Sequence, residues 1–136
     1  MLNKLQNPLA LVGRILLALM FVLAGFSKIA SFDGTVGYIA SGGLPAPSLL
    51  AVLTIIVEVG GGLALVFGFQ ARWAALALAG FTLLASLSFH AYWKLPADQQ
   101  MIPQLLFMKN VSVIGGLLVL AAFGAGALSL DGRQKR

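Results

Sequence analysis

Five ionisable residues stand inside long apolar runs or at their edges: Arg14, Lys28, Glu58, His90 and Lys109. In water such a set would be unremarkable. At the depth of a bilayer each charge costs about 2.5 to 3.5 kcal/mol, so it turns inward to a partner or climbs to the headgroups. Glu58 lies about ten residues from either end of its run, where a carboxylate is too short to climb out. It needs a proton, a cationic partner or buried water. Arg14 is the expected partner, because its long stem can reach inward from a shallower level. Lys28 ends the first run, where a lysine can snorkel, yet it follows Arg14 by 14 residues, close to four turns, and shares its face. His90 lies within a turn of a boundary with Ser86 four residues before it; as the lone histidine it cannot build a metal or bis-histidine haem site. Lys109 sits one turn inside the last run, with Ser112 on the same stripe.

Alternation of direction along the chain brings Lys28, His90 and Lys109 to one end, with Glu58 beneath them. That is an electropositive pocket with an acidic floor. It suits an anion, a carbonyl or a quinone head group, since cations and histidine hydrogen-bond to oxygens while apolar walls hold a ring or tail. The same residues would equally serve an internal salt-bridge network, and spacing alone does not separate the two.

The elements that must position these groups are four apolar segments, at about residues 9–29, 48–69, 73–93 and 104–124. Each has roughly 20 residues, which at about 1.5 Å per residue spans a hydrocarbon core of about 30 Å. None alternates as a barrel strand does, and only helices or closed barrels satisfy their backbone in lipid. The expected fold is an all-α membrane protein, a four-transmembrane-helix antiparallel bundle forming a single domain over residues 1–136. Residues 30–47 carry Asp33, Gly34, Gly37, Gly42, Gly43, Pro45 and Pro47, a turn-forming mixture in which no long helix is expected. Gln70, Ala71 and Arg72 make a short link that forces antiparallel neighbours. Residues 94–103 form the third loop, and the polar tail from Ser129 is expected to fray.

Composition agrees. Sixty per cent of the 136 residues are hydrophobic and ten per cent charged, too greasy for a small soluble core. The formal charge of +5 is scattered rather than gathered on one solvated face, which argues against a nucleic-acid partner. Absence of cysteine excludes disulfides, thiol redox chemistry and iron–sulfur ligation. Lys4 before an apolar run and Ala24-Gly25 within it resemble a secretory signal, but Arg14 interrupts the run and its length suits a retained span. Lys4, Arg72, Arg133, Lys135 and Arg136 fall on one side and Lys28 and Lys94 on the other; the positive-inside rule then makes both termini cytoplasmic. Trp73 at one boundary and Tyr92 with Trp93 at the other fit interfacial aromatic belts. Glycines within the spans (Gly13, Gly25, Gly60, Gly61, Gly62, Gly115 and Gly116) are expected to let helices approach closely. The doublets Gly61-Gly62 and Gly115-Gly116, each followed by leucine, hint at a duplicated hairpin.

An ordered series of fragments resembles the DoxX family of small bacterial membrane proteins: Arg14-Ile15-Leu16, Ala24-Gly25-Phe26-Ser27-Lys28, Gly43-Leu44-Pro45, Glu58 with Gly61-Gly62 and Gly68, Phe89-His90 with Trp93, Phe107-Met108-Lys109-Asn110, Gly115-Gly116-Leu117-Leu118, Gly124-Ala125-Gly126 and Ser129-Leu130-Asp131. The resemblance covers nearly the whole chain. It implies a four-helix inner-membrane protein whose relatives include a subunit similar to the membrane part of a thiosulfate:quinone oxidoreductase and members of oxidative-stress complexes. Arg14, Lys28, Glu58, His90 and Lys109 match the family's polar motif positions, with no catalytic role attached to them.

The expected function is therefore an accessory or quinone- or small-molecule-binding membrane subunit of a redox or stress-response system. Its expected partners are the bilayer, a soluble oxidoreductase and other copies of itself. Two rivals are a scaffold or assembly factor whose charges only lock the bundle, and a small transporter or channel, disfavoured because no span is broken by proline.

Overall fold

The structure, a computed structural model, describes residues 2–134; Lys135 and Arg136 of the charge count lie outside the described residues. Four helices long and apolar enough to cross a membrane account for most of the chain. The first, α1 (Leu2–Ala30), has 29 residues and so extends about 43 Å, longer than the hydrocarbon core. It starts seven residues before the apolar run begins, and Pro8 lies within it.

The second span, Pro47–Phe67, is one rod in two parts: α3 (Pro47–Ile55) and α4 (Gly61–Phe67) are joined by a π turn, Ile56–Gly60. A π turn holds one more residue than an α turn and commonly marks a functional position. Here it carries Glu58 at its centre. Gly60 closes the turn and Gly61 and Gly62 follow at once, and their weak helix propensity lowers the cost of leaving the α register. The rod ends at Gly68, in the left-handed region at φ 65°, from which Phe69 N–H donates back to Ala64 O at 2.9 Å. That closes the helix in the manner usual for a glycine C-terminus.

After α5 (Ala71–Phe89) come two short 3₁₀ turns, Tyr92–Lys94 and Ala97–Gln99, and then α6 (Met101–Phe123). The bundle is assembled by neighbours in sequence. α1 packs along the π-broken rod, α4 along α5, and α5 along α6, whereas α1 and α6 meet more sparsely. Its core is built largely from small residues, with Ala18, Ala71 and Ala75 among Phe21, Leu65, Leu78 and Leu117. Leu16, Leu84, Trp73, Met101 and Phe123 are exposed, as side chains facing acyl tails must be.

Two glycines explain the tightest crossing. A Cβ on Gly25 would collide with Val59 and press on Glu58, and one on Gly62 would collide with Val22. α1 and the π-broken rod thus touch backbone to backbone at two levels, which side chains larger than hydrogen would forbid. Gly116 meets Leu17, while Gly13, Gly60 and Gly115 face open space.

The secondary structure departs from sequence expectation at two places. Residues 30–47 are not turns throughout: α2 (Phe32–Ser41) is a ten-residue helix, held by burial of Ile39 and by the Tyr38 ring stacked on Phe89 at 4.8 Å. Only beyond it do Gly43 and Ala46 take positive φ, before Pro47 opens α3. The tail does not fray over the described residues either. α7 (Leu130–Arg133) is capped by Ser129, whose Oγ accepts from Gly132 N–H at 3.0 Å. Asp131 in turn caps α5, accepting from Gln70 N–H at 2.8 Å and Ala71 N–H at 2.9 Å. A carboxylate placed on two otherwise unpaired amide donors stabilises a helix start by about 1 kcal/mol.

Candidate ligand cavity beneath the short helix

The π turn and the Gly25 crossing together set Glu58 against α1. Glu58 is 5 % exposed. Its partner is Lys28, not Arg14: Lys28 Nζ donates to Glu58 Oε1 at 3.1 Å and lies 2.9 Å from Oε2. The angle to Oε2 is poor, and that buried oxygen accepts no hydrogen bond among the described residues. Position along α1 explains the exchange. Gly25 lies against Glu58, and Lys28 is the cation one turn beyond it on the same helix.

Arg14 lies at the far end of the bundle and is 2 % exposed. Its guanidinium donates to three backbone carbonyls: Val66 O at 3.2 Å, Leu128 O at 3.0 Å and Ala125 O. Val66 is in the last turn of α4, where carbonyls lose their helical partners. Ala125 and Leu128 belong to the chain between α6 and α7. Gly68 makes room, since a Cβ there would collide with Arg14 and Ser129. Arg14 thus ties the middle of α1 to the C-terminal segment and takes no part in the polar group around Glu58.

The other four candidates meet. Lys28, Glu58, His90 and Lys109 line one cavity of about 470 Å³, enclosed by α1, the π-broken rod, α5 and α6 and covered by α2. Thr35, Tyr38 and Ile39 come from α2, and Phe21, Phe81 and Phe89 furnish aromatic wall. The volume falls within the range of small-molecule sites, and so does the pattern of a few polar groups on an apolar surface.

Sequence reasoning singled out Ser86 beside His90 but missed Asn110, Thr82 and Tyr38 as contributors. Asn110 Nδ2 donates to Ser86 Oγ at 2.9 Å, Ser86 Oγ donates to Thr82 O at 2.7 Å, and Thr82 Oγ1 donates to Leu78 O at 2.7 Å. This chain of bonds fastens α6 to α5 beside the cavity. Because the Ser86 hydroxyl proton is already committed to Thr82 O, Ser86 Oγ acts as acceptor, which orients the Asn110 amide with its Oδ1 away from Ser86. An asparagine inside an apolar run next to Lys109 was the available signal. Tyr38 carried none, because its loop was read as turns. Close in the chain to His90 and Lys109, Tyr92, Trp93 and Phe107 form an edge-to-face cluster with centroids 5.3 to 5.7 Å apart.

Comparison with known proteins gives this arrangement its context. The DoxX family profile matches residues 9–91, more than half of the chain. The chain belongs to the DoxX family. It is similar to "Inner membrane protein YqjF" of Escherichia coli, 42 % identical over 96 % of this chain and 95 % of that one. It is also similar to "Inner membrane protein YphA" of the same organism, 41 % identical over 92 % and 89 %. A more distant likeness, 29 % identical, runs over 98 % of this chain but 44 % of the "Surfeit locus protein 4 homolog" of Drosophila melanogaster. No solved structure matches. Family membership and the four apolar helices together make this an integral membrane protein of the DoxX family. The matched span contains Lys28, Glu58 and His90, and stops short of Lys109 and Asn110.

Proposed function

We propose that this DoxX-family protein holds a small oxygen-bearing amphiphile, of which a quinone head group is the leading class, in the cavity beneath α2, and serves as an accessory membrane subunit of a redox or stress-response system. The observation that carries the reading is the meeting of Lys28, Glu58, His90 and Lys109 on one cavity of about 470 Å³ with a largely apolar wall. Cationic and imidazole donors suit ring oxygens, and the wall suits the ring and its tail. A second support is that Lys28 holds Glu58 Oε2 by a 2.9 Å ion-pair contact with poor hydrogen-bond geometry, an arrangement that a ligand donor could improve on.

The naming of both E. coli relatives as inner membrane proteins supports a bacterial inner-membrane location. The N-terminal part of α1 and the C-terminal segment meet at one end, where Ala127 N–H donates to Asn7 Oδ1 at 3.3 Å. Lys4, Arg72 and Arg133 belong to that end by position in the chain. With those termini cytoplasmic by the positive-inside rule, the cavity opens toward the outer leaflet. A soluble oxidoreductase would then exchange electrons with a ligand that this chain only holds.

The test is to purify the protein in detergent, extract what copurifies, and follow thermal stability as a short-tailed quinone is added. Stabilisation by the added quinone, lost in Ala85→Trp, is the expected result; Ala85 lines the cavity and an indole there fills it. No copurifying quinone, together with a melting temperature that added quinone leaves unchanged, would refute the reading.

A further inference from the structure

The cavity holds more acceptors than its own donors satisfy. Among the described residues, Glu58 Oε2 has only the ion-pair contact with Lys28 Nζ, 2.9 Å away at an angle that makes no hydrogen bond. Asn110 Nδ2 is committed to Ser86 Oγ, and no donor among the described residues reaches Asn110 Oδ1. A carboxylate is acceptor-only, and an amide oxygen has two lone pairs to fill. At the same time Lys28 has three ammonium protons, one of them donated to Glu58 Oε1, and its side chain keeps 31 % exposure. Lys109 lines the same space and forms no ion pair among the described residues. The wall therefore asks a ligand for two things: an oxygen that accepts from lysine, and a proton that can be donated to Glu58 or Asn110.

We infer that the cavity selects a head group bearing a hydroxyl, of the phenol or hydroquinone class, over the matching head group that has only carbonyl or ether oxygens. The inference rests on the ligand reading above and narrows it to one oxidation state of the ring. A carbonyl satisfies the lysines and strands both acceptors. A hydroxyl serves both sides, accepting from Lys28 while donating to the carboxylate. The O–H to carboxylate bond is charge-assisted and is the stronger kind. Lys28 is the partner that moves: as its ammonium turns to the ligand oxygen, Oε2 is uncovered for the ligand's proton. Leaving one buried acceptor without a donor corresponds to a loss of about tenfold or more in affinity.

A redox-inert pair tests this without the complication of ring oxidation. Affinities of a 4-alkylphenol and of its methyl ether, identical in tail, are measured by calorimetry on the detergent-solubilised full chain, alongside a short-tailed hydroquinone and its quinone under anaerobic conditions. The phenol is expected to bind about tenfold tighter than the ether, and the hydroquinone about tenfold tighter than the quinone. In Glu58→Gln, whose amide can donate as well as accept, both ratios should fall toward one. Equal affinities within each pair in the native protein overturn the inference and leave the ligand reading standing. A ratio that persists unchanged in a folded Glu58→Gln variant overturns it as well. Should none of the four probes bind, the ligand reading falls with it. Were Glu58→Gln not to fold, the two ratios in the native protein decide by themselves.

Discussion

At the end of the bundle where α1 begins and the C-terminal segment docks, a buried cation is answered by backbone. Arg14 donates to Val66, Leu128 and Ala125 carbonyls, and Asp131 sixty residues from its targets closes the start of α5. In the opposite half, a buried anion is answered by one side chain. Glu58 has Lys28 across a glycine crossing, one of its oxygens is met by that lysine's charge alone and by no well-angled donor among the described residues, and a cavity lies alongside. Carbonyls of fixed backbone cannot leave, so the first arrangement locks. A lysine with part of its length exposed can turn away, so the second can exchange partners. Charge buried against backbone holds this fold; charge buried against a flexible side chain is where a ligand can compete.

That contrast makes unequal demands on stability. The largest effect is expected for Arg14→Leu, which leaves three carbonyls without their donor. A loss of about 3 kcal/mol is expected, read as a fall in the unfolding midpoint in detergent, with new proteolytic cleavage between residues 124 and 134. A loss below about 1 kcal/mol would break the comparison. Gly25→Ala comes next, because its methyl meets Val59 and Glu58. Overpacking of this kind costs about 1 to 3 kcal/mol, and the variant should also lose ligand-induced stabilisation as Glu58 is pushed from Lys28. Asp131→Ala removes the acceptor for two amide protons and should cost about 1 kcal/mol, without effect on quinone-induced stabilisation. The smallest change in stability is expected for Glu58→Gln, under about 1 kcal/mol, since Lys28 lies near the end of its helix and can reach the headgroups. Its effect should appear in ligand binding instead. If Glu58→Gln unfolds the protein as readily as Arg14→Leu does, the two ends do not differ in kind.

The helices of the bundle were legible because length and apolarity report directly on lipid. All four spans lie where the apolar runs stand, with ends shifted by a few residues: α1 begins at Leu2 and α6 at Met101. Counting directions along those spans also brought Lys28, His90 and Lys109 to one end above Glu58. The partner of Glu58 was read wrongly for a reason that is physical. Stem length made Arg14 seem able to reach, but reach along a helix is limited to about a turn, and the depth at which α1 crosses the rod is set by Gly25 and Gly62. Arg14's true partners are main-chain oxygens, which every residue carries and no residue type advertises. α2 was obscured by its glycines, whose cost in a helix is offset by burying Ile39 and stacking Tyr38 on Phe89.

Residue type by itself determined that this chain lives in lipid, how often it crosses, and which polar groups would have to be hidden. Only the tertiary structure decided who answers whom. It set Lys28 on Glu58, sent Arg14 to the carbonyls, put a π turn at the carboxylate and folded α2 over the space between. Apolar burial is additive along a segment and can be summed from its letters. Pairing depends on where two helices cross, and that point is chosen by contacts between residues far apart in the chain.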